Sequence, residues 1–383
     1  MALGTGGRTI TKVDTGVIKD GTLTLSKFAT TGTASATTVL YGNMAWASGS
    51  PSGKRDFTDT NATPAAGDVW YQSGQLKFAA APGDHVGTWS SANLISQTLT
   101  NVATTGTQTA GLRMGGMRGW DEGTQSGVSE EYNGSTWSTS GSLQTARSSM
   151  TRAGTQSAAL CAGGTSYGGS SGSYSMNNSE EYDGTSWASG NNLATGTQNT
   201  SGDGTQSAAW VVGGYQNSNN ATNTQIYDGT SWANQGGTLN TGRQACNGCG
   251  TTSAGLIVAG RHDYSNTTEE WDGTSWAYGG NVAYHLHKSG VFGTQTAATS
   301  ASGQAGGSSP SAKIPGTQEY DGTSWSNTSN VLTPRMTSGN GSQSMGMIVA
   351  GEAAVQVPGG GNSNLGTSSV EEYNKGSFSW SLV

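Results

Sequence analysis

The chain reads as an all-β protein: a six-bladed β-propeller preceded by a small β-rich N-terminal region. Three observations predict this. An aromatic–acid/amide–glycine step recurs as Tyr132-Asn133-Gly134, Tyr182-Asp183-Gly184, Tyr227-Asp228-Gly229, Trp271-Asp272-Gly273 and Tyr320-Asp321-Gly322, with a looser copy at Tyr373-Asn374-Lys375-Gly376. Successive aromatics lie 44 to 53 residues apart, a period that marks a stacked or ring-shaped array. No window carries helical apolar spacing with good helix formers, so almost no helix is expected.

Composition agrees. Of 383 residues 62 are glycine and only 11% are charged, a texture that in a chain without aromatics would read as disorder. Here the 12 Trp and 13 Tyr fall mostly in phase with the repeat, so the small residues are assigned to turns and tight strand contacts. The net charge of −7 argues against a nucleic-acid footprint. No apolar stretch approaches the roughly 20 residues that span a bilayer, and the start, Met1-Ala2-Leu3-Gly4, lacks the apolar core of a secretory signal. Three cysteines, Cys161, Cys246 and Cys249, cannot all pair, so no disulfide framework is expected and synthesis in a reducing cytoplasm is inferred.

Within each period a second signature stands roughly 20–30 residues before the aromatic step. It reads Gly154-Thr155-Gln156-Ser157-Ala158 or a close variant, and a short apolar run ending in small residues follows, as in Trp210-Val211-Val212-Gly213-Gly214. A variable polar stretch then leads to Glu-Glu-Tyr-Asp-Gly-Thr-Ser-Trp or its variant, and a polar turn ends near an arginine (Arg147, Arg243, Arg335). The order translates into four antiparallel strands. Strand A precedes the Gly-Thr-Gln turn, strand B is the apolar run, strand C carries Glu-Glu-Tyr, and strand D begins after the Asp-Gly hairpin turn and carries Trp. One such sheet with two wet faces is unstable alone; six around an axis bury each face on a neighbour. Blade five departs at Thr299-Ser300-Ala301-Ser302-Gly303, which is polar where its siblings are apolar and predicts a looser blade. Trp380 near the end supplies blade six with its own strand D, so ring closure needs no strand from the front; Gly87-Thr88-Trp89-Ser90 echoes a strand D and keeps a seventh, partial blade open.

The order apolar strand, Gly-Gly, variable loop, Glu-x-Tyr-Asp, turn, Trp resembles the kelch repeat over roughly residues 97–383. Residues 1–96 have a different texture. Val17 to Phe28, Thr31 to Ala47 and Gly67 to Phe78 each resemble segments of bacteriophage fibre and other virion structural proteins, and the repeats resemble kelch-like arrays in virion proteins of marine phages. That resemblance implies an N-terminal attachment and oligomerisation region, trimeric in fibres of this kind, bound to other virion proteins. Its sparse apolar content agrees with order gained by strand exchange between chains.

The paired carboxylates of Glu-Glu-Tyr suit acid/base chemistry, but one site would not be needed six times; they are read as sheet structure, pairing with a neighbouring blade. The Asp-Gly-Thr-Ser-Trp turn fails as a sialidase Asp box, because Asp183 and Gly184 are adjacent, and no copper-ligand motif of the galactose oxidase kind is present. Cys246, Cys249, His285 and His287 form a two-thiol, two-imidazole zinc candidate, weakened because alternation places the cysteines on opposite faces. No metal, cofactor or catalytic residue is assigned.

The loops between strands B and C vary while the frame repeats, which is how a scaffold carries a recognition surface. They share one end of the disc with the D-to-A connections and hold Arg118, Trp120 and Asp121; Tyr167 and Tyr174; Tyr215 and Asn217; and Arg261, His262, Asp263 and Tyr264. Aromatics interspersed with Asn, Asp and Arg suit sugars: a ring stacks on the pyranose while short polar groups bond its hydroxyls. The expectation is a non-enzymatic virion protein, a tail or head fibre subunit made in the host cytoplasm. Its propeller would recognise a host-surface glycan or receptor, as a homotrimer without nucleic acid or membrane insertion. The rivals are a structural adaptor or decoration protein contacting other virion proteins, and a propeller enzyme acting on polysaccharide.

Overall fold

A computed structural model describes residues 87–118, 124–167, 173–261, 265–306, 312–357 and 361–375, with the short strands Thr38–Leu40, Trp46–Ser48, Val69–Gln72 and Gln75–Phe78. The chain falls into two compact units, Gly87–Lys375 and Met1–Val86 with Gly376–Val383. In the second of these the four short strands form one antiparallel sheet, in which Val69–Gln72 and Gln75–Phe78 make a hairpin. The segment Val17 to Phe28 and Trp380 lie outside the described residues.

Gly87–Lys375 is a six-bladed β-propeller, all-β among the described residues. Each blade is a four-stranded antiparallel sheet in the order A-B-C-D. The innermost strands, Ala103–Gly106, Thr151–Gly154, Ser201–Thr205, Asn247–Gly250, Gly290–Thr294 and Arg335–Ser342, pack in sequence order round a closed ring. Blade five is regular: Ala297–Ala301 pairs residue for residue with Gly290–Thr294. Its polar residues are buried and largely bonded, Ser302 Oγ donating to the Ile314 carbonyl (2.9 Å) and accepting from the Arg335 amide (2.8 Å).

Ring closure differs from the sequence expectation. Thr88–Ala92 is strand D of blade six, pairing antiparallel with Gly361–Asn374 through Trp89↔Tyr373 and Val370↔Ala92. The propeller therefore closes with a strand from the front, and the echo at Gly87-Thr88-Trp89-Ser90 is the missing strand of the sixth blade. Trp89 does what three of the other strand-D tryptophans do. Its Nε1–H donates to Thr317 at the start of strand C in the preceding blade (3.0 Å), as Trp187 does to Ser129 (3.0 Å), Trp276 to Thr224 (2.8 Å) and Trp325 to Thr268 (3.1 Å). Thr88–Ala92 covers the edge of Gly361–Asn374 that would otherwise be unpaired at the seam.

The repeated motifs are inter-blade fasteners. The Gly-Thr-Gln glutamine donates to two carbonyls of the preceding blade, as Gln156 does to Gly111 (3.1 Å) and Tyr132 (2.7 Å). The glycine that ends the strand-B motif, second of a Gly-Gly pair in blades one to three, has positive φ in every blade; at Gly214 (φ +91) a Cβ would lie 2.4 Å from the Thr197 hydroxyl. At the hairpin after strand C, Asp183 Oδ1 accepts from the amides of Thr185 (2.8 Å) and Ser186 (2.7 Å), bonds that hold its carboxyl below the usual range.

The two carboxylates of Glu-Glu-Tyr do different jobs. The first is buried against an arginine: Glu180 with Arg147 (2.6 Å), Glu269 with Arg243, Glu371 with Arg335, and in blade one Glu130 with Arg113. In blades three and five, Thr197 and Leu286 stand where the D-to-A arginine would be, and the acid becomes Gln225 and Gln318. A buried carboxylate without its cation would cost several kcal/mol, so the two positions change together. The second carboxylate accepts the tyrosine hydroxyl of the next blade: Tyr182 to Glu131 (2.6 Å), Tyr132 to Glu372 (2.8 Å), Tyr373 to Glu319 (2.8 Å), Tyr227 to Glu181 and Tyr320 to Glu270. At the junction of blades three and four, Ile226 and Trp271 hold these places, and Trp271 Nε1–H turns to the Thr252 carbonyl (2.9 Å).

Candidate functional site

The candidate surface is the end of the disc where each strand A begins. The residue just before strand A is left-handed in five blades, at Asn101, Ser149, Asn199, Ala245 and Lys288, with φ of 53° to 56°. This unfavourable backbone is offset by a belt of blade-to-blade hydrogen bonds. The amide of Ser149 donates to Asn101 (3.1 Å), Asn199 to Ser149 (3.0 Å), Ala245 to Asn199 (2.8 Å), Lys288 to Ala245 (2.8 Å) and Thr337 to Lys288 (2.9 Å).

Below the belt the axis is filled by one side chain. Arg152, on strand A of blade two, donates to the carbonyls of Thr104 (3.2 Å), Gly202 (2.6 Å), Gly248 (3.2 Å), Val291 (3.2 Å) and Gly339 (3.2 Å), one from each of the other five blades. These are the same position of strand A in every blade, so a single guanidinium, with its five N–H donors, laces all six. Beside it Asp203 accepts from the Gly250 amide (3.0 Å); burial pushes its carboxyl up to about 6, against the pull of Arg152.

At the belt lies a cavity of about 50 Å3 lined by Asn101, Ser149, Asn199, Cys246, Asn247 and Lys288 among others. Lys288 Nζ donates to Asn101 Oδ1 (2.6 Å), and burial draws its ammonium down to about 8. Lys313 pairs with Glu352 (2.8 Å) nearby, and burial first, then the charges of Lys288, Arg261 and Lys313, hold His287 down at about 4. The mouth is thus compact and polar, with its charges already engaged.

Round the mouth, the B-to-C connections rise as hairpins and bridge to the D-to-A connections. Met117–Arg118 pairs with Thr124–Gln125, Thr165–Tyr167 with Ser173–Ser175, and Tyr215–Gln216 with Asn219–Asn220; in blade six, strands B and C themselves extend as Met345–Val357 and Gly361–Asn374. The bridges Thr100↔Met117, Ser148↔Thr165, Gln198↔Tyr215 and Gln244↔Arg261 fix them at their bases. Arg118 and Arg261 are exposed on this end, on blades one and four. Tyr167 and Tyr174 lie on the paired strands of the blade-two hairpin, and Tyr215 and Asn217 share the blade-three hairpin. Trp120, Asp121, His262, Asp263 and Tyr264 lie outside the described residues. Tyr215 lines a groove, of about 450 Å3, between the blade-three hairpin and the connection at Gly242 and Gln244.

The zinc candidate is not assembled. Cys246 lines the mouth cavity, whereas Cys249 points to the Thr294 carbonyl (3.6 Å) and packs with Leu256 and Val258; His285 is exposed. Among the described residues no three His, Cys, Asp or Glu side chains converge as metal ligands. All three cysteines are free and buried, and burial raises Cys161 to about 12 and Cys246 to about 11.

Sequence reading passed over Arg152, Lys288 and the groove-lining Asn219, Asn220 and Gln244. Only the phase of Arg152 against Gly202, Gly248 and Gly339 marks it out, three glycines where one blade has a long cation. The residues before strand A are Asn, Ser, Asn, Ala and Lys, so no common side chain in the sequence flags the belt.

No protein-family model matches the chain, and no curated protein sequence does. Among solved structures, that of YjhT is similar, with a TM-score of 0.59 at 11% identity, covering 73% of this chain and 95% of that one. A likeness at that identity is one of fold. Matches extend to 262 chains, so the architecture by itself selects no function. Among the described residues no helix is long and apolar enough to cross a membrane.

Proposed function

We propose that this chain is a bacteriophage virion protein, a tail or head fibre subunit. Its kelch-like propeller attaches reversibly to a host-surface glycan through the hairpin-rimmed end, without catalysis. The observation that carries this reading is the division of labour in the repeat. The repeating polar groups, Glu, Tyr, Gln and Arg alike, are consumed in holding blades and their connections together, while the non-repeating residues are gathered on one end. The N-terminal region, by its resemblance to fibre segments, holds the subunit to other virion proteins as a homotrimer. Three weak sites per trimer would raise avidity by roughly 10²–10⁴ where geometry allows simultaneous contact.

A second reading, an adaptor contacting other virion proteins, is favoured by Leu94, Leu332 and Leu365, which are exposed and lie on or beside blade six. One experiment separates the two: adsorption of the labelled full-length chain to candidate host cells, before and after stripping of surface polysaccharide, alongside binding to purified virions lacking the protein. Polysaccharide-dependent adsorption supports the glycan reading. Binding to the virions with no adsorption to any cell overturns it in favour of the adaptor.

A further inference from the structure

We propose that the groove beside the blade-three hairpin is a subsite for one neutral pyranose ring, with Tyr215 as its stacking platform. The inference rests on the glycan reading and narrows it to a place and a sugar class. The groove's volume of about 450 Å3 falls within the roughly 300–1,000 Å3 range of small-molecule sites. Its lining, Tyr215, Ser218, Asn219, Asn220, Thr222 and Gln244 with Gly242, contains one aromatic ring, amides and hydroxyls, and no ionised side chain.

The wall is held in place before any ligand arrives. The Tyr215 amide donates to the Gln198 carbonyl (2.7 Å), and Ser175 Oγ of the blade-two hairpin donates to the Tyr215 carbonyl (3.2 Å). Asn199 Nδ2 donates to Gln244 Oε1 (3.3 Å), and Gln244 Nε2 to Asn220 Oδ1 (3.0 Å), a relay running from the axial belt to the groove. That relay fixes which atoms Asn220 presents. Its oxygen is taken, and its Nδ2 donates to nothing else among the described residues; the same holds for the half-exposed Tyr215 hydroxyl. An aromatic side chain on a pinned backbone, with amide donors and hydroxyls beside it, matches a ring of C–H faces and equatorial hydroxyls. With no cation in the lining, a sugar carboxylate would lose its hydration without a partner, so an uncharged pyranose is selected over an acidic one.

The test is saturation-transfer NMR and titration calorimetry on the full-length chain. The probes are methyl glycosides of glucose, galactose, mannose and N-acetylglucosamine, with glucuronate as the charged control. At least one neutral glycoside is expected to bind and glucuronate not to bind. Tyr215→Ala should weaken binding by about tenfold or more, while Tyr215→Phe keeps the stacking face and most of the affinity. Thermal unfolding of both variants separates lost contact from lost fold. Unchanged binding in Tyr215→Ala and in Asn220→Ala overturns the site and leaves the glycan reading intact, since the sugar is then held elsewhere. Binding of glucuronate alone overturns the sugar class. If no glycoside binds and the chain adsorbs to no host cell, both the subsite and the glycan reading fall.

Discussion

Ile226 and Trp271 pack in one cluster across the junction of blades three and four, at the two positions that a glutamate and a tyrosine hold at the other five junctions. Both members of a hydrogen-bonded pair have been exchanged for apolar groups, which leaves no unpaired acceptor behind.

This exchange predicts a strong coupling. Ile226→Glu alone should destabilise the chain by about 1–3 kcal/mol, because it places a carboxylate opposite an indole with no donor in reach. Adding Trp271→Tyr should recover about 1–2 kcal/mol of the loss by rebuilding the bond. A double-mutant cycle from denaturant unfolding checks it; additive losses would refute the pairing.

The hydroxyl-to-carboxylate ring predicts alkaline sensitivity. Burial and then the facing Glu131 and Glu270 raise Tyr182 and Tyr320 to about 12, and Tyr132, against Glu372, likewise reaches about 12. Free tyrosine ionises near pH 10. The folded state thus holds these protons longer than the unfolded chain, so the stabilisation is intact below pH 10 and is lost as pH rises from 10 towards 12. Tyrosinate absorbance should therefore rise together with loss of the β signal in circular dichroism. Titration of these tyrosines well before unfolding would contradict the arrangement.

Asp203 predicts the opposite end of the scale. Its carboxyl ionises at about 6 when folded, against about 3.9 in an unfolded chain. The raised value means that stability is fully present below about pH 4 and declines as pH rises through 6, by about 3 kcal/mol. Asp203→Asn keeps an acceptor for the Gly250 amide and should remove that decline, so its advantage over the native chain grows from pH 4 to pH 7. Parallel melting-temperature profiles would expose a failure of this expectation.

Arg152 predicts a substitution that cannot be conservative. Arg152→Met leaves five buried carbonyls without their donor and should cost about 3–5 kcal/mol. Arg152→Lys keeps the charge but offers three donors to five acceptors, so it should recover only part of the loss. Unfolding midpoints in urea measure both.

The seam yields a fifth test. Trp89→Ala removes the strand-D ring that packs on Phe292 and Tyr373, and should destabilise by about 3–5 kcal/mol. A chain starting after Ala92 exposes the edge of Gly361–Asn374 and should associate or aggregate, visible in light scattering.

Much of the frame was legible because the repeat makes each blade a reading of the others. Blade count, strand order and the structural use of Glu-Glu-Tyr follow from phase alone. Closure was misread because Trp380 competes with Trp89 for one role, and local pattern does not say which end of a chain reaches the seam. The axis was not legible either. Arg152 acts through backbone carbonyls of five distant segments, and carbonyls have no letter in a sequence. The groove at Tyr215 was half legible: the B-to-C residues stand out by not repeating, but Gln244 enters from a connection whose neighbours are ordinary turn residues.

The strand Thr88–Ala92 has a mechanical meaning as well. Tension passed along the chain from residue 86 enters the propeller at Gly87, whose carbonyl accepts from Ser329 Oγ, and then meets the rungs Thr88↔Asn374 and Trp89↔Tyr373. Load arriving there thus falls on a five-residue ladder in blade six and, through Thr317 and Phe292, on blade five beside it, so the rupture strength of a tethered propeller would be set at this clasp.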